Sequence, residues 1–204
     1  LKERGAAGVV ADALYGHAVP VAVVWALFTA EGAAQALATP RLLAALFGWK
    51  LAQGLCDALA SQLADRRFDR RSGTRTFVLE SGPLRAQRLL LRLFLPLQIA
   101  AFAAAGALLW PAAPWLLPAY ALYLGAALWR IHRRWRRGRG FYRRGYPGWV
   151  LVNDFQERWL PLAALAALVV AKPWTAPLAL VHLALFRSGF HDLAAAWRAR
   201  PGRA

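Results

Sequence analysis

The chain has 204 residues, 59% of them hydrophobic, a mean hydropathy of +0.35 and a formal charge of +16. Charged residues are only 18% of the whole and stand in blocks between long apolar runs, whereas a soluble domain of this length spreads them along its helices. That distribution excludes an ordinary soluble globular domain, and the lone Cys56, set inside an apolar run as a buried filler, excludes a disulfide framework.

The chain opens on "LKERGAAGVV", with no initiator Met and no signal-peptide pattern, and reads as the middle of a longer protein, so a fragment is expected. A bilayer core asks for roughly 20 mostly apolar residues per helix. Gly8 to Thr29, Arg41 to Ala64, Leu89 to Trp110, Trp115 to Ile131, Trp149 to Ala171 and Pro173 to Phe190 answer that description. The expected fold class is therefore all-α integral membrane, with about six transmembrane helices in a single domain over residues 1–204. Short, almost uncharged connections carrying Pro or Gly fall at Glu31 to Pro40, Pro111 to Pro114 and Lys172 to Pro173.

The remaining connections carry the charge. Leu1 to Arg4, Arg66 to Arg92, Arg130 to Arg144 and the stretch from Arg187 onward, with Arg158, hold all of the 26 basic residues except Arg41, Lys50 and Lys172. Two crossings return a chain to its starting side, so these four regions share one face. The positive-inside rule places that face, with the loops 65–88 and 130–148, in the cytoplasm of a cell inner (plasma) membrane. Trp110, Trp115, Trp129, Tyr146, Trp149 and Trp174, near the span ends, fit an aromatic belt.

The run "RIHRRWRRGRGFYRRG" from Arg130 interleaves aromatics with arginines, a pattern that can stack nucleic-acid bases. It joins two apolar spans on the basic side, however. A topology anchor touching anionic lipid headgroups is the expected role, with membrane lipids and not nucleic acid as partners.

One edge stretch, "SQLADRRFDRRSGTRT", carries the candidate chemistry. Gln62, Asp65 and Asp69 are spaced i, i+3 and i+7, which puts all three on one stripe of a helix at the basic end of the second span. Oxygen ligands in this arrangement suit Mg²⁺, which takes one or two carboxylates, keeps several waters and shares phosphate oxygens. Arg66, Arg67, Arg70, Arg71 and Arg75 can meet the remaining charge of a diphosphate. A plainer reading of the same residues is a solvated interfacial turn with internal salt bridges.

The pattern Q-x-x-D-x-x-x-D-x-x-x-G-x-R-T, built from Gln62, Asp65, Asp69, Gly73, Arg75 and Thr76, resembles the second aspartate-rich motif of the UbiA-type membrane prenyltransferases. The likeness is close over about sixteen residues, and "LKERGAAGVVADALYGHAVP" also looks like the family's entry into a middle helix. The resemblance implies the C-terminal two-thirds of a nine-helix bundle. It implies Asp65 and Asp69 as ligands of Mg²⁺ bound to an isoprenoid diphosphate, Gln62 as a further oxygen donor where the family more often has an acid, and Arg75 near the phosphates. Lys2, Arg4, Arg66 and Arg70 are further candidates for the diphosphate. The reaction implied is transfer of a prenyl group to a lipophilic or aromatic acceptor, the allylic cation being stabilised by aromatic faces. The family's first motif, N-D-x-x-D-x-x-x-D, is not in this chain, which accords with a fragment that begins about a third of the way along.

A second polar island, "NDFQERWLP" from Asn153, interrupts the fifth span. Asn153 and Glu157 are one turn apart, as are Asp154 and Arg158, the latter in the favourable acid-before-base order. Asn153, Asp154 and Glu157 either line a cavity near the diphosphate or form a structural interfacial turn. Lys50, inside the second span, either snorkels or finds a carboxylate such as Asp57. His17, His132, His182 and His191 have no zinc spacing, and neither a nucleophile triad nor a P-loop occurs. The alternative to an enzyme is a non-catalytic multi-pass protein, a transporter fragment or lipid-binding scaffold whose acids only pair with arginines.

Overall fold

The computed structural model describes residues 5–30, 39–136, 153 and 155–185, and these are helical, without a strand among them. They fall into two compact units, Leu1–Ala119 and Tyr120–Ala204. Three helical stretches are long and apolar enough to cross a membrane: Gly5–Leu27, Pro40–Ser72 and Pro83–Leu108. Leu116–Ala126 and Pro173–Leu185 are shorter apolar helices, so the described residues carry three full-length spans where the hydropathy pattern predicts six. Part of the predicted fifth span, 149–152 and 154, lies outside the described residues, as do Lys2, Arg4, His191 and 137–148.

In the first unit, α1 (Gly5–Ala13) passes through a π-turn at Leu14–Ala18 into α2 (Val19–Ala30). The central element is α3 (Pro40–Ser72), and α1, α2 and the helices that follow α3 as far as Leu108 pack on it. Its start is specified locally, since Thr39 accepts a hydrogen bond from Leu42 N–H at 3.2 Å and Pro40 occupies the first turn, where its missing donor does no harm. At 33 residues it is about 50 Å long, and it outruns a hydrocarbon layer of about 30 Å. Its last turns, where the arginines gather, therefore stand clear of any membrane the rest crosses.

The end of α3 is just as specific. Gly73 sits at φ +71°, a left-handed conformation that only glycine adopts freely, and its N–H reaches back to Asp69 O. Thr74 N–H bonds the same carbonyl at 3.0 Å, the six-to-one closure of a Schellman turn. The chain then forms two short helices, α4 (Phe77–Ser81) and α5 (Pro83–Leu89), so most of the predicted 65–88 loop is helical. A π-turn at Leu90–Phe94 leads into α6 (Leu95–Leu108), which packs along α3 with Trp49 edge-on to Phe102 at 4.9 Å between ring centres. After a tight turn at Leu109–Pro114, α7 (Leu116–Arg136) begins.

In the second unit a π-turn at Phe155–Trp159 precedes α8 (Leu160–Ala171) and, after a short 3₁₀ turn, α9 (Ala176–Leu185). The polar island is partly an aromatic and amide core. Phe155 packs against Tyr120 and Tyr123 at 5.1 and 5.4 Å, and Gln156 Nε2 donates to Tyr120 Oη at 3.2 Å. Asn153 and Gln156 are buried and Glu157 is exposed, while Asp154 lies outside the described residues.

The three π-turns share a cause. Each is followed at the second position by a proline, Pro20, Pro96 or Pro161. A proline inside a helix has no N–H to donate, and its ring collides with the carbonyl one turn back. Opening that turn relieves the collision: Val19 N–H reaches Leu14 O and Leu95 N–H reaches Leu90 O, five residues back where an α-helix reaches four.

Candidate functional site

Gln62, Asp65 and Asp69 do share one helix, α3, but they part by depth. Gln62 and Asp69 are buried at 4% and 3% exposure, while Asp65 is exposed. What separates them is α4, which folds back over the end of α3.

Gln62 holds α4 in place. The first N–H groups of any helix lack an internal partner. Thr76 Oγ1 accepts from Leu79 N–H at 3.4 Å, and Gln62 Oε1, sixteen residues away, accepts from Val78 N–H at 3.3 Å. The oxygen that the motif offers to a metal is thus engaged as a cap across two helices. Gln62→Leu should leave that buried N–H unpaired, lowering stability by about 1–3 kcal/mol and opening Thr74–Pro83 to protease. Gln62→Glu should retain the fold. Thermal unfolding in detergent checks both, and a Gln62→Leu protein with unchanged melting would show that the cap carries nothing.

The Asp69 carbonyl anchors the turn after α3, accepting from Gly73, Thr74 and Ser72 Oγ, the last at 3.1 Å. This fixes where its side chain points, into a cleft of about 790 Å³ between the end of α3 and α4–α5. Arg66, Arg67, Arg70 and Arg75 line it, against the carboxylates of Asp69 and Glu80, with Val78, Leu79 and Pro83 supplying an apolar wall. Four guanidinium groups to two carboxylates leave a net positive cleft, and its volume lies in the range of small-ligand sites. Asp69 Oδ2 is buried with no hydrogen-bond partner. A buried carboxylate oxygen in that condition is costly unless something meets it, and a cation is the natural complement.

The donor set fits Mg²⁺ in its partly hydrated mode, with Asp69 as the inward carboxylate and Asp65 one turn away. Among the described residues no three His, Cys, Asp or Glu side chains converge as a closed metal cage, which Mg²⁺ sharing a substrate's phosphates does not need. Asp65 itself is not in the cleft wall.

Of the residues predicted from sequence, the cleft brings together Asp69, Arg66, Arg67, Arg70 and Arg75. Asn153 and Glu157 belong to the second unit. Two polar wall residues are not among those the sequence singles out, Thr74 and Glu80. Glu80 comes from the return of α4, and the signal for that return was present, a helix-ending Gly73 followed by Thr76 at a helix-starting position. The carboxylate of Glu80 also sits against Gly5, at the first turn of α1, so close that a Cβ there would overlap it. Set against known proteins, the chain matches no family model, no curated protein and no solved structure.

Proposed function

We propose that the protein is a membrane prenyltransferase of the UbiA type, in which the arginine cleft at the end of α3 holds the diphosphate of an isoprenoid donor and the prenyl group passes to a lipophilic or aromatic acceptor. The observation that carries this reading is Asp69: a buried carboxylate with an oxygen lacking a partner, in a cleft of arginines, at the mouth of a long apolar helix. Asp69 and Asp65 are the residues that would hold Mg²⁺, whose contribution when bound is to neutralise charge on the departing diphosphate. Arg66, Arg67, Arg70 and Arg75 do the rest of that work, gripping phosphate oxygens and stabilising the charge that builds as the C–O bond breaks toward the leaving group. The prenyl chain, being apolar, lies among the spans, and the acceptor gives up a proton when the new bond forms. On this reading the basic segments face the cytoplasm from an inner membrane.

The test uses the full-length protein in its membrane, with a radiolabelled prenyl diphosphate as donor. Release of diphosphate should require Mg²⁺, stop in EDTA, and fall at least about 100-fold when Asp65 and Asp69 are both changed to Asn. Release no greater than in membranes lacking the protein, or unmoved by the paired substitution, rejects the reading.

A further inference from the structure

A second group of ionisable residues lies far from the cleft, in the seam between α1 and α3. His17 Nε2 and Asp57 Oδ2 are 3.8 Å apart. Asp57 stands near the middle of α3, and His17 near the middle of the Gly5–Leu27 span. His17 is thus well inside an apolar span and Asp57 meets it there, where an ionisable side chain is expensive and marks a functional site by default.

The fold goes to some length to bring them together. Gly54 lets α1 approach so closely that a Cβ there would lie 2.7 Å from Ala13 Cα and 2.8 Å from His17 Cδ2. The π-turn at Leu14–Ala18 contains His17 and so sets the level at which its ring meets α3. Neither side chain is sealed, at 30% and 21% exposure for His17 and Asp57. An ionisable pair turned to lipid is unfavourable, so the open side is a polar one.

The charged groups around this pair are few. On α3, Lys50 Nζ donates to Gln53 Oε1 at 2.8 Å and lies 4.4 Å over the Trp49 ring. α1 adds the exposed Asp12, and Tyr15 of the π-turn is also exposed. α2 and α6 bring no ionisable side chain, Gln98 being the buried polar group of α6. Arg92 and, on α4 and α5, Glu80, Arg85 and Arg88 belong to the basic end. Along α3, Gln53, Asp57 and Ser61 recur at i, i+4 and i+8, a polar stripe leading from the pair toward that end.

We propose that His17 and Asp57 form a proton-binding site within the spans, the pair as a whole taking up one proton and exchanging it with the basic end past Ser61. The site stands apart from the prenyl-transfer reading and survives or fails without it. Histidine is the side chain that ordinarily changes charge in the physiological range, and away from water the neutral pair and the ion pair differ greatly in solvation. Protonation state is then coupled to how tightly α1 closes on α3.

Dicyclohexylcarbodiimide tests this, because the apolar reagent reaches carboxyls inside a membrane and adds only to those that are protonated. The full-length protein in lipid nanodiscs is treated from about pH 5 to about pH 9, spanning the ordinary range of histidine, and the Asp57 peptide is followed by mass spectrometry. Asp57 should take the label at acid pH and lose at least about 90% of it by the alkaline end. In His17→Gln the midpoint should move by roughly one pH unit or more, the size of effect a neighbouring charge has on a carboxyl. His17→Asn gives the same reading if the first variant folds poorly, and the wild-type profile needs no variant at all. Asp57 unlabelled at every pH, or a midpoint unmoved in both variants, overturns the proposal.

Discussion

In EDTA, the Asp69→Asn protein should bind inorganic diphosphate roughly tenfold more tightly than wild type, and in Mg²⁺ the order should reverse. The two signs follow from one carboxylate. Without a divalent ion, Asp69 is a buried negative charge in a cleft that otherwise presents four guanidinium groups and the Glu80 carboxylate to an anion. Two unit charges about 6 Å apart at an effective dielectric of about 20 interact by about 3 kcal/mol, and the open side of the cleft reduces that toward the 1.4 kcal/mol of a tenfold change. Asparagine is nearly isosteric and leaves the backbone carbonyl that accepts from Gly73, Thr74 and Ser72 untouched, so the turn should persist. With Mg²⁺ present the carboxylate is an attraction, and its loss removes a ligand. Asp65→Asn, at an exposed position outside the cleft wall, should show the same pattern more weakly. Calorimetric titration of diphosphate into the detergent-solubilised protein measures all of it. An Asp69→Asn protein that binds more weakly in both conditions would mean that the carboxylate orients the arginines and holds no metal.

A second large effect should be the loss of stability in Gly54→Ala. A Cβ at this position would lie 2.7 Å from the Ala13 Cα and 3.0 Å from its Cβ, both parts of the α1 backbone wall that cannot rotate away. α1 must then move off α3 as a unit, at about 1–3 kcal/mol for overpacking of this kind, and thermal unfolding in detergent should register it. Gly106 is the informative comparison, since a Cβ there meets the tip of Leu117, a flexible side chain that can change rotamer. Gly106→Ala should cost well under about 1 kcal/mol. Gly48, with nothing within 4 Å of its Cβ position, should accept alanine with no loss or a slight gain. Equal melting for Gly54→Ala and Gly48→Ala would show that α1 and α3 do not meet as described.

Much of this was legible in the sequence wherever the governing rule is local. The apolar runs announce helices, Thr39-Pro40 and Gly73 bound α3, and the i, i+3, i+7 spacing sets Gln62, Asp65 and Asp69 on one face. Their division of labour was not legible, because it depends on α4 returning across the end of α3, a contact between residues sixteen apart. The contacts of Lys50 and Asp57 divide the same way: Gln53 is one turn from Lys50 on the same helix, whereas His17 comes to Asp57 from another helix altogether. The described residues supply three full-length spans of the six that apolar runs predict, and 149–152, 154 and 186–190 of the last two lie outside them. α7 runs on from an apolar first half into arginines, and only Leu116–Ala126 of it is apolar enough to count.

The prolines at 20, 96 and 161 have one more effect. Each withholds a donor, so at the level of each opened turn a backbone carbonyl lacks the partner that an unbroken helix would give it. Hydrocarbon has nothing to offer such an oxygen, and a molecule of water is the smallest thing that does. Each joint is therefore a place where a water molecule would be welcome in an otherwise greasy helix, and one of them is the turn that carries His17.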